Sequence, residues 1–392
     1  SYGVRTAEMS VDWNAVQQRV QEVVAGMREM NRKNFTSIPK LDFILGTAGF
    51  QGTRLIEVRD KNGAIRRLAA EKIFINTGTR PATPTIPGLE RVESLNSESV
   101  QRLPLLPGHL VVIGGGYVAL EFAQMFRFLG SQVTVLEQGP QLLKNEDTDV
   151  AEALLEILRA DGIDIRLNCS INRVEKSGSE TAVICGDQND LIRVAGSHLL
   201  IAAGRVPNTE ELNLTAAGIK TNKRGFVDVN ERLETSAPGV WALGDVNGGP
   251  QFTHASLDDY RIVKANVFDR EQRATTDRLI PSTLFTEPEL AHIGLTEKQA
   301  KQQNLAIRVA KTAVASIPRA KTMGETRGFI KVIADVKTDR ILGCTILAAE
   351  AGEILGTVQM AMIAGLPFTA LRDAVFSHPT LVEGFNTAFS GF

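Results

Sequence analysis

Apolar residues recur every three or four positions near the start of the chain, at Val16, Val20, Val23, Val24 and Met27. That spacing predicts an amphipathic, solvent-facing helix over residues 11–32. Asp12 is suited to cap its N-terminus. Short apolar runs separated by turns then predict a small antiparallel sheet, with strands at 41–44, 55–58 and 73–75.

A different pattern starts at residue 109. An apolar run at 110–113 leads through three glycines into a helical stretch at 117–129, and a second apolar run follows at 133–136. This order predicts a strand–helix–strand unit. A helix is expected at 148–160, with further strands at 163–167, 171–175, 182–185 and 198–202. We therefore expect a parallel sheet with an added antiparallel part.

The last third of the chain alternates strand and helix patterns. After a polar, helix-capable stretch at 256–269, strands are predicted at 329–333 and 341–347 and helices at 296–303 and 352–364. This alternation is typical of an α+β domain. A stiff connection with three prolines, which ends at Gly88, favours a domain boundary near residue 100.

Length and charge narrow the class of protein. A chain of 392 residues and 42.5 kDa is long enough for several domains with sizeable cores. The 43 Lys and Arg nearly balance the 45 Asp and Glu, giving a net charge of -2. Such a balance provides no broad positive field, so we expect no nucleic-acid partner. Apolar runs fall short of the roughly 20 residues of a membrane helix, so no membrane partner is expected either.

Cysteine usage bears on the compartment of the protein. Cys169, Cys185 and Cys344 show neither CxxC spacing nor a framework pattern. We therefore expect no structural disulfide, no metal site and a reducing, cytoplasmic environment. We also expect no signal peptide.

The strongest local motif is the GxGxxA turn at residues 114–119, which follows an apolar strand and opens a helix. Gly114 permits the tight turn, Gly116 lets a pyrophosphate approach the backbone, and the small Ala119 allows close helix–strand packing. Glu137 lies 23 positions after Gly114, near the spacing of about 20 at which an acid binds the ribose hydroxyls. A purely structural glycine turn is the alternative.

The cofactor preference follows from the same acid. Glu137 should repel the 2′-phosphate of NADPH, so NADH is favoured. Because of Arg127 and Gln138, we expect only a moderate preference for NADH over NADPH.

Two further segments resemble known elements. Residues 75–81 with 86–88, and residues 241–245, are similar to the TGxxP…IPG and AxGD elements of the two-dinucleotide-binding flavoproteins. The resemblance implies that they line an FAD site through Thr77, Gly78, Gly244 and Asp245. Gly204, in the segment 203–208, matches the strand-turn that closes the NAD domain of the same proteins. Taken singly, each segment also fits a strand-end turn.

The C-terminal segment 377–383 resembles the HPTxxE box of the class I pyridine nucleotide-disulfide oxidoreductases. This family includes dihydrolipoamide dehydrogenase, glutathione reductase and mercuric reductase. The resemblance implies that His378 is the base and Glu383 its orienting partner, donated across a homodimer interface. By the same resemblance, Tyr117 is the aromatic lid over the nicotinamide, and Glu121 is the glutamate that pairs with a lysine beside the redox disulfide.

The resemblance covers nearly the whole chain and implies its domain order. It assigns an α/β fold with a remnant FAD-binding domain at 1–103, a Rossmann-like NAD(P)-binding domain at 104–208, a central domain at 209–279 and an α+β dimerisation domain at 280–392. The nearest branch resembles mercuric reductase-like proteins and the reactive-chlorine-resistance flavoprotein. Electrons would pass from nicotinamide through flavin to a thiol, disulfide or metal acceptor.

The sequence departs from the family in one respect. The first strand–GxGxxG–helix unit and the CxxxxC redox pair do not occur among the 392 residues. We therefore expect an N-terminally truncated chain, with FAD bound in the complete protein but doubtful for this chain by itself. The alternative is a flavin-free, non-catalytic dimeric module that binds NAD(H).

Overall fold

The computed structural model describes residues 10–178, 180–187 and 190–392. The chain divides into two compact units. Of the described residues, the first contains those in 10–82, 98–106 and 204–278, and the second contains those in 83–97, 107–203 and 279–392.

The helices of the described residues are α1 (Trp13–Ser37), α2 (Tyr117–Phe128), α3 (Thr148–Ala160), α4 (Thr253–Lys264), α5 (Glu297–Gln302), α6 (Pro318–Met323), α7 (Ala351–Ile363), α8 (Thr369–Arg372) and α9 (Gly384–Phe389). The strands are β1 (Thr47–Gly52), β2 (Leu55–Arg59), β3 (Ile65–Ala69), β4 (Ile73–Ile75), β5 (Thr79–Pro81), β6 (Ser94–Leu95), β7 (His109–Ile113), β8 (Gln132–Leu136), β9 (Asp164–Arg166), β10 (Ile171–Ser177), β11 (Glu180–Asp187), β12 (Asp190–Gly196), β13 (His198–Ile201), β14 (Arg205–Pro207), β15 (Val240–Ala242), β16 (Ser282–Leu284), β17 (Glu289–Gly294), β18 (Ile307–Ala313), β19 (Phe329–Asp335) and β20 (Ile341–Ala348).

The first unit begins with α1. The side chain of Asp12 accepts a hydrogen bond from the Ala15 N–H, so the predicted N-cap is confirmed. The helix continues to Ser37, beyond the predicted end at residue 32, and buries none of its residues. It is therefore a solvent-facing helix, as its spacing predicted.

The sheet after α1 differs from the prediction in its strands. An antiparallel sheet of order β1-β2-β3 is present, but residues 41–44 form no strand. β4 pairs in parallel with β15 instead of joining this sheet. Ile73 and Ile75 are buried in a core with Ala242. This packing between residues far apart in sequence explains why β4 pairs with β15. β1 was missed because its two glycines and single large apolar residue give no alternating pattern.

The second unit contains the predicted parallel sheet. Its five strands have the order β6-β13-β7-β8-β9, and all described pairs are parallel. Four of the five residues of β7 are buried. α2 crosses from β7 to β8 and buries Ala119, Leu120, Ala123 and Phe126. The strand–helix–strand prediction is confirmed, and α3 occupies the predicted residues 148–160.

The added antiparallel part is the sheet β10-β11-β12. The expectation that no disulfide would form is wrong. Cys169 and Cys185 are bonded to each other, with 5.4 Å between their Cα atoms. Cys185 pairs across the hairpin with Ile171, which brings it next to Cys169. The sequence separation of 16 carries no sign of this pairing, since it arises from the strand register.

The last part of the second unit is an α+β assembly. Its antiparallel sheet has the order β16-β17-β20-β19-β18. β19 and β20 extend the predicted strands, and α7 runs over Ala351–Ile363. The core between them contains Ile330, Val332 and Ile346. Lys331, between two of these core residues, is also buried.

Candidate functional site

The glycine turn between β7 and α2 combines a tight backbone with an open space. Gly114 has a φ of 120°, and a Cβ placed on it would lie 2.5 Å from the Ala202 carbonyl oxygen. A Cβ on Gly116 would meet no described atom within 4 Å beyond its chain neighbours. Gly114 is therefore needed to make the turn, and Gly116 leaves open space at the N-terminus of α2, where a phosphate is favoured. Ala119 is buried against the sheet.

Glu137 directly follows β8 and lies beside this turn. Its Oε1 accepts a hydrogen bond of 2.7 Å from the Gly139 N–H. Its Oε2 lies 2.7 Å from the position of a Cβ on Gly115. The acid predicted to bind the ribose thus lies against the glycine turn. A carboxylate can accept further hydrogen bonds from hydroxyls.

Tyr117 and Glu121 are one turn apart on α2 and both contact the β16 segment. The Tyr117 hydroxyl donates to Ser282 Oγ over 3.3 Å. Burial, with the nearby Glu146 carboxylate, raises the pKa of Tyr117 to about 12. Glu121 accepts a hydrogen bond of 3.0 Å from the Phe285 N–H, and burial raises the pKa of its carboxyl.

Sequence reasoning missed a group of charged residues near the same turn. Glu146 and Asp147, just before α3, are both buried. Asp147 accepts from the backbone N–H groups of Glu297 and Lys298, each at 2.9 Å, and lies 3.1 Å from the ammonium of Lys331. An isolated acidic pair in a loop carries no signal of burial, because such residues are mostly exposed.

The predicted acid–base pair forms within the second unit. His378 Nδ1 lies 2.9 Å from Glu383 Oε2. Because an ionised carboxylate only accepts, Nδ1 carries the proton and Nε2 is left to act as a base. The His378 side chain is 69% exposed and that of Glu383 15%. Glu383 Oε1 is buried without a hydrogen-bond partner among the described residues.

The remaining predicted site residues lie in the first unit. The Thr77 hydroxyl donates to the Asn208 carbonyl over 2.8 Å, and the Asn208 N–H donates to the Gly78 carbonyl over 3.0 Å. Gly204 has a φ of 121°, and its carbonyl accepts from the Ala82 N–H. The two predicted segments at 75–81 and 203–208 are therefore joined directly.

The Gly244–Asp245 turn belongs to the same group. Asp245 accepts a hydrogen bond of 2.8 Å from the Thr79 hydroxyl. Arg205 donates to that hydroxyl oxygen over 2.7 Å. Asp259, which is buried, accepts from the Gly244 N–H over 2.8 Å. Thr79 and Arg205 lie inside motifs that the sequence pointed out, but their support of Asp245 was not predicted.

Comparison with known proteins identifies the family. Residues 10–259 match the family model described as pyridine nucleotide-disulphide oxidoreductase, and residues 280–389 match its dimerisation domain. Together these matches span most of the chain. The protein therefore belongs to the pyridine nucleotide-disulphide oxidoreductase family.

Individual relatives agree with this assignment. A probable pyridine nucleotide-disulfide oxidoreductase of Escherichia coli, RclA, is 41% identical over 389 residues, which cover 99% of this chain and 87% of the relative. The mercuric reductase of Staphylococcus aureus is 32% identical over 386 residues, covering 98% of this chain and 70% of the relative.

Solved structures give the same result. The HOCl-induced flavoprotein disulfide reductase RclA of Escherichia coli superposes with a TM-score of 0.91 at 41% identity, covering 97% of this chain and 86% of that one. LpdA of Mycobacterium tuberculosis has a TM-score of 0.89 at 23% identity and covers 99% of this chain and 84% of that one, which shows the shared fold.

These findings confirm the predicted class. The chain is an NAD(P)H-dependent, FAD-containing oxidoreductase of the disulfide-reductase family, with an α/β fold and a dimerisation domain that makes it a homodimer. They give no support to a flavin-free module. No helix among the described residues is long and apolar enough to cross a membrane.

The residues present fit the flavin end of an FAD molecule. Asp245 presents a half-buried carboxylate, held by Thr79. A carboxylate so placed can accept hydrogen bonds from ribityl hydroxyls. The fixed Gly244 turn keeps this carboxylate in position, since Asp259 holds its N–H. The structure thus agrees with the cofactor that the family requires.

Proposed function

We propose that this protein passes reducing equivalents from NADH, through FAD, to a disulfide or metal-ion acceptor. The observation that carries the proposal is the open backbone at Gly116, with the carboxylate of Glu137 lying against the preceding glycine of the same turn, Gly115. Bound FAD would supply the electron carrier between the nicotinamide and the acceptor.

The dinucleotide is held by backbone and by charge. The N–H groups at the start of α2 receive the pyrophosphate, because helix N-termini favour negative charge. Glu137 accepts hydrogen bonds from the adenosine ribose and disfavours the 2′-phosphate of NADPH. NADH is therefore the proposed donor.

His378 and Glu383 carry out the acid–base chemistry. Glu383 holds the imidazole through Nδ1 and stabilises its cation, while Nε2 takes or delivers a proton. The exposed His378 side chain suits a group presented to the partner subunit. Exposed apolar residues of the same domain, among them Met360, Ile363 and Val375, favour an interface in this part of the unit. A cytoplasmic location stays a prediction from the sequence.

The visible spectrum of the native protein tests the proposal. We expect flavin bands that NADH bleaches in the absence of oxygen. Gly116→Val should retain these bands but require far more NADH for bleaching, because the added side chain fills the space for the phosphates. Preparations without flavin bands, or bleaching that is equal in the variant, would contradict the proposal.

A second experiment separates the two kinds of acceptor. The curated relatives named above include mercuric reductases, and one solved RclA structure is described as a Cu(II) complex. Reducing a disulfide to two thiols consumes protons, whereas reducing Cu(II) to Cu(I) consumes none. His378→Ala should therefore slow NADH oxidation with a small disulfide far more than with Cu(II), if a disulfide is the acceptor. An equal loss with both acceptors would argue against proton delivery by His378.

A further inference from the structure

A disulfide lies in the core of the second unit, next to the segment that carries the proposed ribose acid. Cys169 and Cys185 are bonded to each other, and they are 2% and 0% exposed. Both belong to a buried apolar cluster that also contains Leu136, the last residue of β8. Glu137 directly follows Leu136. The disulfide and the end of this strand therefore share one core.

The backbone around Cys169 holds the backbone of this acid. The Cys169 N–H donates to the Glu137 carbonyl over 2.9 Å, and the preceding Asn168 N–H donates to the Gly139 carbonyl over 2.9 Å. The Gly139 N–H in turn donates to the Glu137 carboxylate. These two cysteine-side residues thus hold both ends of the segment that positions the carboxylate. We expect a movement of Cys169 to be transmitted to Glu137.

The two cysteines differ in how their backbones are held. Cys185 lies in β11, the central strand of its three-stranded sheet, and is paired with Ile171 on one side and with Ile192 on the other. Cys169 lies just before β10, which begins at Ile171. Because two neighbouring strands fix Cys185, a change in the distance between the sulfurs should displace Cys169 more than Cys185.

Reduction changes that distance. A small thiolate attacks one of the two sulfurs, the bond between the cysteines breaks and a mixed disulfide forms, which a second small thiolate then attacks. Two small thiols are oxidised to one disulfide, and their two electrons and two protons leave Cys169 and Cys185 as thiols. Sulfurs that are no longer bonded cannot stay as close as bonded ones. Since the core is close-packed, they cannot separate without moving the chain.

We infer that the Cys169–Cys185 pair is a thiol–disulfide switch that sets the affinity for the adenosine end of the dinucleotide, an inference that rests on the dinucleotide site proposed at the glycine turn. In the disulfide form, the Glu137 carboxylate is aligned with the ribose hydroxyls. In the dithiol form, Cys169 is displaced and this alignment is lost. The switch responds to the balance between small thiols and their disulfides. Because both cysteines are buried, exchange requires local opening of the β10–β11 hairpin and is slower than turnover.

Binding of ADP-ribose to the native holoenzyme tests the switch. This probe keeps the adenosine ribose and the pyrophosphate and has no nicotinamide, so its Kd, measured by calorimetry, reports on the Glu137 side of the site. One sample is treated with oxidised glutathione and the other with a small dithiol, the reagents are removed, and peptide mapping checks the linkage. The dithiol form should bind about 2- to 10-fold more weakly, the range expected for one lost hydrogen bond. Reoxidation should restore the Kd.

Three variants identify the residues responsible. Cys185→Ala cannot form the disulfide but keeps every other redox-active group, so its Kd should be equal after both treatments. Cys344→Ala removes a buried free cysteine and should respond to reduction as the wild type does. In Glu137→Ala, which lacks the carboxylate, reduction should cause no further loss. The comparison of the two wild-type forms needs no substitution and stays valid if a variant fails to fold.

The outcomes separate this inference from the proposed function. Absence of the Cys169–Cys185 linkage in the oxidised wild type, or equal ADP-ribose binding by the two wild-type forms, would overturn the switch while the dinucleotide site stands. The same weakening in Cys185→Ala would also overturn it, since the effect would then arise at another redox group. If the oxidised wild type binds no ADP-ribose, the proposed dinucleotide site itself is wrong.

Discussion

The glycine turn and the His378–Glu383 pair are built in opposite ways. The turn is made of backbone, and its shape is fixed by the positive φ of Gly114 and by the close approach of Ala202. The pair is made of side chains, and its histidine is largely exposed. The shape of the turn is set by the backbone, whereas the pair presents an exposed imidazole at the surface of its unit.

This difference indicates which substitutions each site tolerates. At the turn, an added Cβ on Gly114 would clash with the Ala202 carbonyl oxygen, and we expect a larger side chain at Gly116 to occupy the space proposed for the dinucleotide. Substitution of His378 should change the fold little, because its described hydrogen bond is to a single side chain, that of Glu383. Loss of binding and loss of turnover should therefore separate cleanly between the two regions.

The largest expected effect falls on the exposed pair. His378→Ala should lower turnover with a disulfide acceptor by about 10²- to 10⁴-fold, the usual contribution of general acid–base catalysis. The Kd for NADH should stay unchanged, because the histidine belongs to the dimerisation domain. Stopped-flow and steady-state assays measure both quantities. Unchanged turnover would remove the catalytic role.

The next largest effects are expected at the glycine turn, where two substitutions should have different consequences. Gly116→Val should weaken NADH binding by more than about 10-fold, or about 1.4 kcal/mol, because the side chain occupies the space proposed for the phosphates, with little change in Tm. Gly114→Ala should instead destabilise the fold by about 1–3 kcal/mol, because alanine is strained at positive φ. Calorimetry and thermal unfolding of both variants check this. Similar Tm losses in the two variants would contradict the distinction.

A smaller effect concerns cofactor choice. Glu137→Arg should shift the ratio of specificity constants toward NADPH by about 10-fold, or about 1.4 kcal/mol, because the charge that repels the 2′-phosphate is replaced by one that attracts it. Assays with both dinucleotides measure the ratio. An unchanged ratio would mean that the acid does not lie at the ribose.

The smallest effect is a pH dependence of stability. Burial raises the pKa of Glu146, whose neighbours are Tyr117, Asp147 and His292. A carboxyl with a raised folded pKa costs stability as the pH rises from its unfolded pKa through its folded pKa. Glu146→Gln should therefore raise Tm by about 1–4 °C above that range and have no effect at lower pH. An increase that is constant across pH would contradict a titrating carboxyl.

Local patterns predicted the parts of the fold that local forces determine. The unit from β7 to β8 and the helix α3 were predicted closely, because their apolar spacing alone defines strand and helix. β4 was assigned to the wrong sheet, since its partner β15 lies far away in sequence. The bond between Cys169 and Cys185 depends on hairpin register for the same reason.

The candidate site shows the same division. Glycine spacing and the motif at 377–383 indicated residues whose chemical role can be inferred from the residue type alone. Glu146 and Lys331 could not be found in this way, because each resembles an ordinary surface charge until the second unit is folded. The roles assigned to the site residues stay predictions until the variants above are measured.

Asp259 illustrates how tolerance to substitution can mislead. Its carboxylate accepts from the Gly244 N–H and the Asn247 side-chain amide, and it pairs with Arg278. Asparagine would offer an amide group to one of these donors, and glutamate would be too long for the others. In a saturation-mutagenesis scan, we expect Asp259 to be as intolerant as a ligand-binding residue. Its intolerance would report on the hydrogen bonds that hold the Gly244 turn, beneath the proposed flavin site, and would carry no information about chemistry.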